Sequence, residues 1–101
     1  MKRHRVMVTV EGRGIRVAPD PVVMTSEDEL HWGCTSSHRF TVEFDGRGPF
    51  ANAKLGHDAA STPQKPRARG RFKYTVALEA DPSVGLDPDV VVGDPPSKPQ
   101  P

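Results

Sequence analysis

Proline and glycine cut this chain into apolar runs too short for long helices, and the runs that remain alternate every second residue. Val6, Val8 and Val10 share one parity while Arg5, Met7 and Thr9 take the other, the mark of a half-buried strand. Alternation returns at Ile15 and Val17, breaks at Pro19 and Pro21, and resumes at Val22 and Met24; the prolines suit an edge strand or a bend between sheets. Leu30, Trp32 and Cys34 predict another strand, with the indole turned inward and His31 outward. The cleanest patterns are 38–44, with His38, Phe40, Val42 and Phe44 on one face, and 72–79, with Phe72, Tyr74, Val76 and Leu78 on one face. A last strand is expected at Val90, Val91 and Val92. The polar stretch 25–29 reads as a solvated turn. About seven short strands separated by turns predict an all-β fold, a two-sheet Greek-key sandwich.

With 101 residues, two independent cores would each be too small to offset chain entropy, so residues 1–93 are expected to form one domain and 94–101 a disordered, proline-rich tail. The single cysteine, Cys34, excludes an internal disulfide and any cysteine-only cluster within one chain. No apolar run approaches the roughly 18 residues of a membrane span, and the basic start leads into a strand pattern, which suggests a cytoplasmic protein. A net charge of +1 leaves only local patches to attract a charged partner.

The segment 45–70 carries few large apolar residues and reads as a long loop, the natural place for function. A helical turn or two fits within 52–60. From Asp45 to Lys73 there are seven Lys or Arg against two acids, and Lys65, Arg67, Arg69, Arg71 and Lys73 recur at every second position. Where extended, such a row presents cations on one side and could grip an acidic protein or phosphates, or merely keep a loop solvated. The acids Glu79, Asp81, Asp87, Asp89 and Asp94 could answer it by head-to-tail self-association.

Taken in order, Ile15, Val17, Pro19, Asp20, Pro21 and the valines after them, then Leu30 and Trp32, then His38, Phe40, Thr41 and Val42, then Gly70, Phe72, Tyr74 and Val76, and finally Leu86, Asp87, Pro88 and Val90 resemble the cupredoxin-like domains of plastocyanin and azurin relatives. The resemblance spans roughly residues 6–93 and implies a Greek-key sandwich. In copper-binding members it also implies one histidine before the strand that here starts near His38, with a cysteine, a second histidine and usually a methionine from the loop between the last two strands. Here that loop, 79–87, holds no Cys, His or Met, so the resemblance implies a cupredoxin fold without its blue-copper centre.

Two lesser readings compete. Cys34 and His38 flank a tight turn, and His57 from the long loop could complete a zinc or copper site with them. Each residue also has a plain role: an inert thiol for Cys34 and a backbone-bonded imidazole for His38. The basic loop could alternatively bind nucleic acid weakly, although no sequence-specific motif is present. No third group orients a Cys–His pair, so catalysis is not expected. The expected function is a non-catalytic binding or structural module that needs no cofactor and meets a protein or other anionic partner through its basic loop.

Overall fold

The computed structural model describes residues 2–12 and 14–94. Its elements are β1 (Arg3–Glu11), β2 (Gly14–Ala18), β3 (Val22–Thr25), β4 (Glu29–Cys34), β5 (Phe40–Phe44), β6 (Lys54–Leu55), α1 (His57–Ala60), β7 (Gly70–Leu78), β8 (Gly85–Leu86) and β9 (Asp89–Gly93). Among the described residues seven strands are four residues or longer, as the alternation predicts. They form two sheets, ordered β2-β1-β4 and β3-β9-β7-β5-β6, with β8 beside β7. Two pairs are parallel, β1 with β4 and β3 with β9; the others are antiparallel. The Pro19 and Pro21 bend carries the chain from β2 in one sheet to β3 at the edge of the other, as its prolines suggest, and both X-Pro bonds are cis. This is an all-β sandwich whose sequential strands change sheets, the Greek-key pattern.

The inward parities hold. Val6, Val8, Leu30, Trp32, Phe40, Val42, Phe44, Tyr74, Val76, Val90 and Val92 are buried between the sheets. Trp32 stands at the centre, edge-on to Phe44, Phe50 and Tyr74 with ring centroids 6.2, 6.1 and 5.6 Å away, and its Nε1–H donates to the Tyr74 hydroxyl at 3.2 Å. His31 lies on the outer face of β4 opposite Arg5. Burial first, then the Arg5 and Arg3 charges, hold its imidazole below the usual histidine range.

Three expectations need correction. Strand β5 starts at Phe40, so His38 lies outside it and is exposed: the chain bends through 35–37, and the parity that continues on paper is lost there. The stretch 25–29 turns at 26–28, between β3 and β4, but Asp28 within the turn is buried, 5% exposed. The segment 45–70 is not an open loop. Pro49, Phe50, Leu55 and Ala60 are buried, β6 pairs with β5, and Gln64 bridges to Leu30 of β4 through two backbone hydrogen bonds of 2.8 and 2.9 Å. A few apolar side chains suffice there because each fills a gap at the sandwich margin. The expected helix is one turn, α1, closed by the Ser61 and Thr62 hydroxyls donating to the carbonyls of His57 and Asp58. The proline-rich tail expected at 94–101 falls, beyond Asp94, outside the described residues. No helix among the described residues is long and apolar enough to cross a membrane.

Candidate functional site

The basic row is divided by the fold. Arg71 and Lys73 alternate on β7 with the inward-facing Phe72 and Tyr74, so both point to the outer face, where β9 runs antiparallel beside them. Arg71 donates to one Asp89 carboxylate oxygen from Nε and Nη2 at 3.1 and 2.8 Å, and Lys73 Nζ lies 3.4 Å from the other. The Arg71 hydrogen bonds, helped by Lys73, hold the Asp89 carboxyl below the usual range. Arg69 pairs with Asp94. Two of the acids that the sequence offers for self-association, Asp89 and Asp94, thus meet the basic row within one molecule, while the Glu79 carboxylate pairs with Arg39 and those of Asp81 and Asp87 accept from Ser83 and Thr75.

Lys65 and Arg67 are left. Both are exposed, and among the described residues neither forms an ion pair. Arg47, which the sequence reading did not single out, joins them. It stands between Gly46 and Gly48, both in the left-handed region at φ +64° and +65°, and that glycine–arginine–glycine spacing was the available signal of a tight turn presenting a cation. The Arg67 N–H donates to the Pro49 carbonyl at 2.6 Å and fastens the two stretches together. Between them lies a surface recess of about 550 Å³ with Arg47 and Arg67 in its lining.

Gly48 is the rigid point of this wall. A Cβ there would fall 2.6 Å from Phe44 Cβ and Cγ, on a residue already committed to the core. Gly48→Ala is therefore expected to destabilise the domain by about 1–2 kcal/mol from the left-handed backbone alone, with the Phe44 clash adding to it. Gly56→Ala, where a Cβ meets nothing within 4 Å, is the matched control. A lowered urea midpoint for Gly48→Ala only is the expected result; equal midpoints would contradict the turn geometry.

The candidate metal residues are not brought together. The Cys34 Sγ lies 3.4 Å from the Ser36 hydroxyl, which in turn lies 2.5 Å from His38 Nδ1, so a serine stands between thiol and imidazole. His57, on α1, points to the sandwich instead: its Nδ1 accepts the Phe40 N–H at 3.2 Å and its ring packs edge-on to Phe40 at 4.7 Å. With Nδ1 accepting, the neutral ring carries its proton on Nε2 and has no free lone pair for a metal. Among the described residues no three His, Cys, Asp or Glu side chains are gathered closely enough to hold a metal ion.

Among the described residues, the copper that copper-binding cupredoxins hold finds no matching donor set either. The rim beside His38 is lined by Val10, Leu78, Val84, Asp81 and Ser83, and the Asp81 carboxylate already accepts from the Ser83 hydroxyl and N–H at 2.6 and 3.3 Å. One imidazole and one occupied carboxylate are a hard, sparse set, unlike the thiolate and two imidazoles of a blue-copper centre.

No protein-family model and no curated protein matches this sequence. Several solved structures share its fold. One is a pseudoazurin from a Sinorhizobium species, 16% identical, with a TM-score of 0.66 over 94% of this chain and 76% of that one. The likeness at that identity is one of architecture, and the chain has a cupredoxin-like fold.

Proposed function

We propose that this chain is a non-catalytic binding module of cupredoxin-like fold that receives an anionic partner on Lys65 and Arg67, with Arg47 added by the β5–β6 turn. The observation that carries the reading is the division of the basic row. Arg69 is paired with Asp94, and Arg71 and Lys73 share Asp89, while the cations around the recess have no carboxylate partner among the described residues. Cations left unpaired on a firm loop raise the local potential and draw an anion by long-range attraction. A half-buried, unpaired Cys34 fits a reducing compartment such as the cytoplasm. Its thiol faces a serine hydroxyl rather than a base, which supports a binding role over catalysis.

A polyglutamate peptide and a single-stranded oligonucleotide, titrated at low salt, test the proposal. Lys65→Ala/Arg67→Ala is expected to weaken polyglutamate binding about tenfold or more and to flatten its salt dependence, while Arg71→Ala leaves both unchanged. Equal loss in the Arg71 variant, or none in the double variant, would refute the assignment. Binding of the oligonucleotide alone would replace an acidic protein partner by nucleic acid.

A further inference from the structure

The recess between Arg47 and Arg67 is built as a pocket, and its chemistry is narrower than a charged surface. Its volume of about 550 Å³ falls within the range of small-molecule sites, roughly 300–1,000 Å³. Its base is held by the core. Phe50 is buried, with its ring 5.6 Å from Phe44 and 6.1 Å from Trp32, and Pro49 beside it receives the Arg67 N–H that ties one wall to the other. A site on so firm a base loses little entropy when a ligand arrives.

Two exposed guanidiniums from separate stretches of chain flank the opening, and neither has an acidic partner among the described residues. Guanidinium presents parallel N–H donors that match phosphate oxygens in pairs, a geometry an ammonium lacks. The amides of residues 46–48 donate to no other group among the described residues, so the glycine-flanked turn adds free N–H donors beside Arg47. The remaining lining is small and apolar: Ala51, Ala53 and Ala68. Phe50, the aromatic residue in the lining, is 4% exposed and offers no face on which a base could stack.

We propose that this recess binds a small phosphate ester without an aromatic base, its phosphate held by Arg47 and Arg67 and its body set against the three alanines. The inference rests on the anion-binding reading above and gives that site its ligand class.

The test is titration of the full isotope-labelled chain, followed by amide chemical shifts, with glucose 6-phosphate, inorganic phosphate and glucose. Saturable shifts at 46–48 and 67–68 are expected with the ester, at a Kd of about 1 mM or tighter, weaker ones with inorganic phosphate and none with glucose. Arg47→Ala and Arg67→Lys should each weaken the ester about tenfold or more; the second keeps the charge and removes the fork. Trp32 fluorescence reports that both variants fold. Shifts that do not saturate, shifts centred on Arg71 and Lys73, or wild-type ester affinity in Arg67→Lys would overturn the proposal. Equal affinity for ester and inorganic phosphate would overturn the ester assignment and leave a bare anion site. If polyglutamate binds Arg67→Lys as it binds wild type while the ester binds neither, the ligand class falls and the broader reading stands; if polyglutamate also fails on wild type, both fall.

Discussion

Trp32→Ala is expected to destabilise the domain by about 3–5 kcal/mol, a large share of the roughly 5–15 kcal/mol that holds a small domain folded. Trp32 is fully buried and touches three other rings, so its removal leaves a cavity between Phe44 and Tyr74 of one sheet and Phe50 of the 45–70 segment. It also leaves the Tyr74 hydroxyl without its indole donor. Burial pushes the Tyr74 phenol above the usual tyrosine range, so the group stays neutral and gains nothing by ionising. Trp32→Phe separates the two losses: most of the volume stays and the hydrogen bond goes, at a cost of about 1–2 kcal/mol. Urea unfolding followed by far-ultraviolet circular dichroism measures both, since the fluorophore is the residue removed. An unchanged midpoint for Trp32→Ala would contradict the packing. Because Phe50 leans on Trp32, the alanine variant is also expected to loosen the recess that Arg47 and Arg67 flank.

Parity explains why so much of the sandwich could be read from residues alone. A strand with one face buried must place its large apolar side chains at every second position, so Val6 and Val8, Phe40 and Val42, or Tyr74 and Val76 declare their face without knowledge of a neighbour. The same rule misleads where the backbone stops being extended. His38 continues the parity of Phe40, yet Ser36 and Ser37 bend the chain before it and the imidazole ends in solvent. The packing of the 45–70 segment is hidden for a different reason. Its apolar residues are sparse and unpatterned, but Pro49, Phe50, Leu55 and Ala60 each reach the margin of the core separately, which leaves no periodic trace.

The candidate site was half legible. The alternation of Lys65, Arg67, Arg69, Arg71 and Lys73 is visible in the chain, and so is the acidic surplus that follows it. Which cations are cancelled is not, because that depends on β9 lying beside β7 at one register, with Asp89 opposite Lys73. Arg47 had a local sign in its flanking glycines, but its meeting with Arg67 rests on a tertiary hydrogen bond to Pro49 that no local pattern encodes. The same holds for the metal reading: spacing placed Cys34 near His38, and only the fold shows Ser36 between them and His57 turned to Phe40.

Asp28 shows how far a charge can depart from its sequence setting, and its replacement is the second large expected effect. It sits among Ser26, Glu27 and Glu29 in a stretch that looks fully solvated, yet its carboxylate is buried and accepts three hydrogen bonds. The Thr25 N–H at 3.0 Å and the His4 Nε2–H at 2.9 Å reach Oδ2, and the Lys2 N–H at 2.9 Å reaches Oδ1. Since the carboxylate only accepts, His4 must carry its proton on Nε2. These bonds fasten the start of β1 to the β3–β4 turn, and the Thr25 N–H, followed by His4, holds the carboxyl far below its ordinary 3.8 despite its burial. Asp28→Ala strands those donors and is expected to cost about 2–4 kcal/mol at neutral pH. Asp28→Asn removes the charge with little change of shape and isolates the pH dependence. A carboxyl depressed in the folded state contributes its full stability above 3.8, and that contribution is lost as the pH falls further, because the unfolded chain takes up the proton first. His31, also depressed from its ordinary 6.5, costs stability as the pH falls below that value, but it does so in wild type and Asp28→Asn alike. The stability gap between the two proteins should therefore shrink as the pH falls below about 4. A gap that stays constant down to pH 2 would show that the carboxylate's charge does not fasten the N-terminal strand, and that the turn keeps its shape by packing alone.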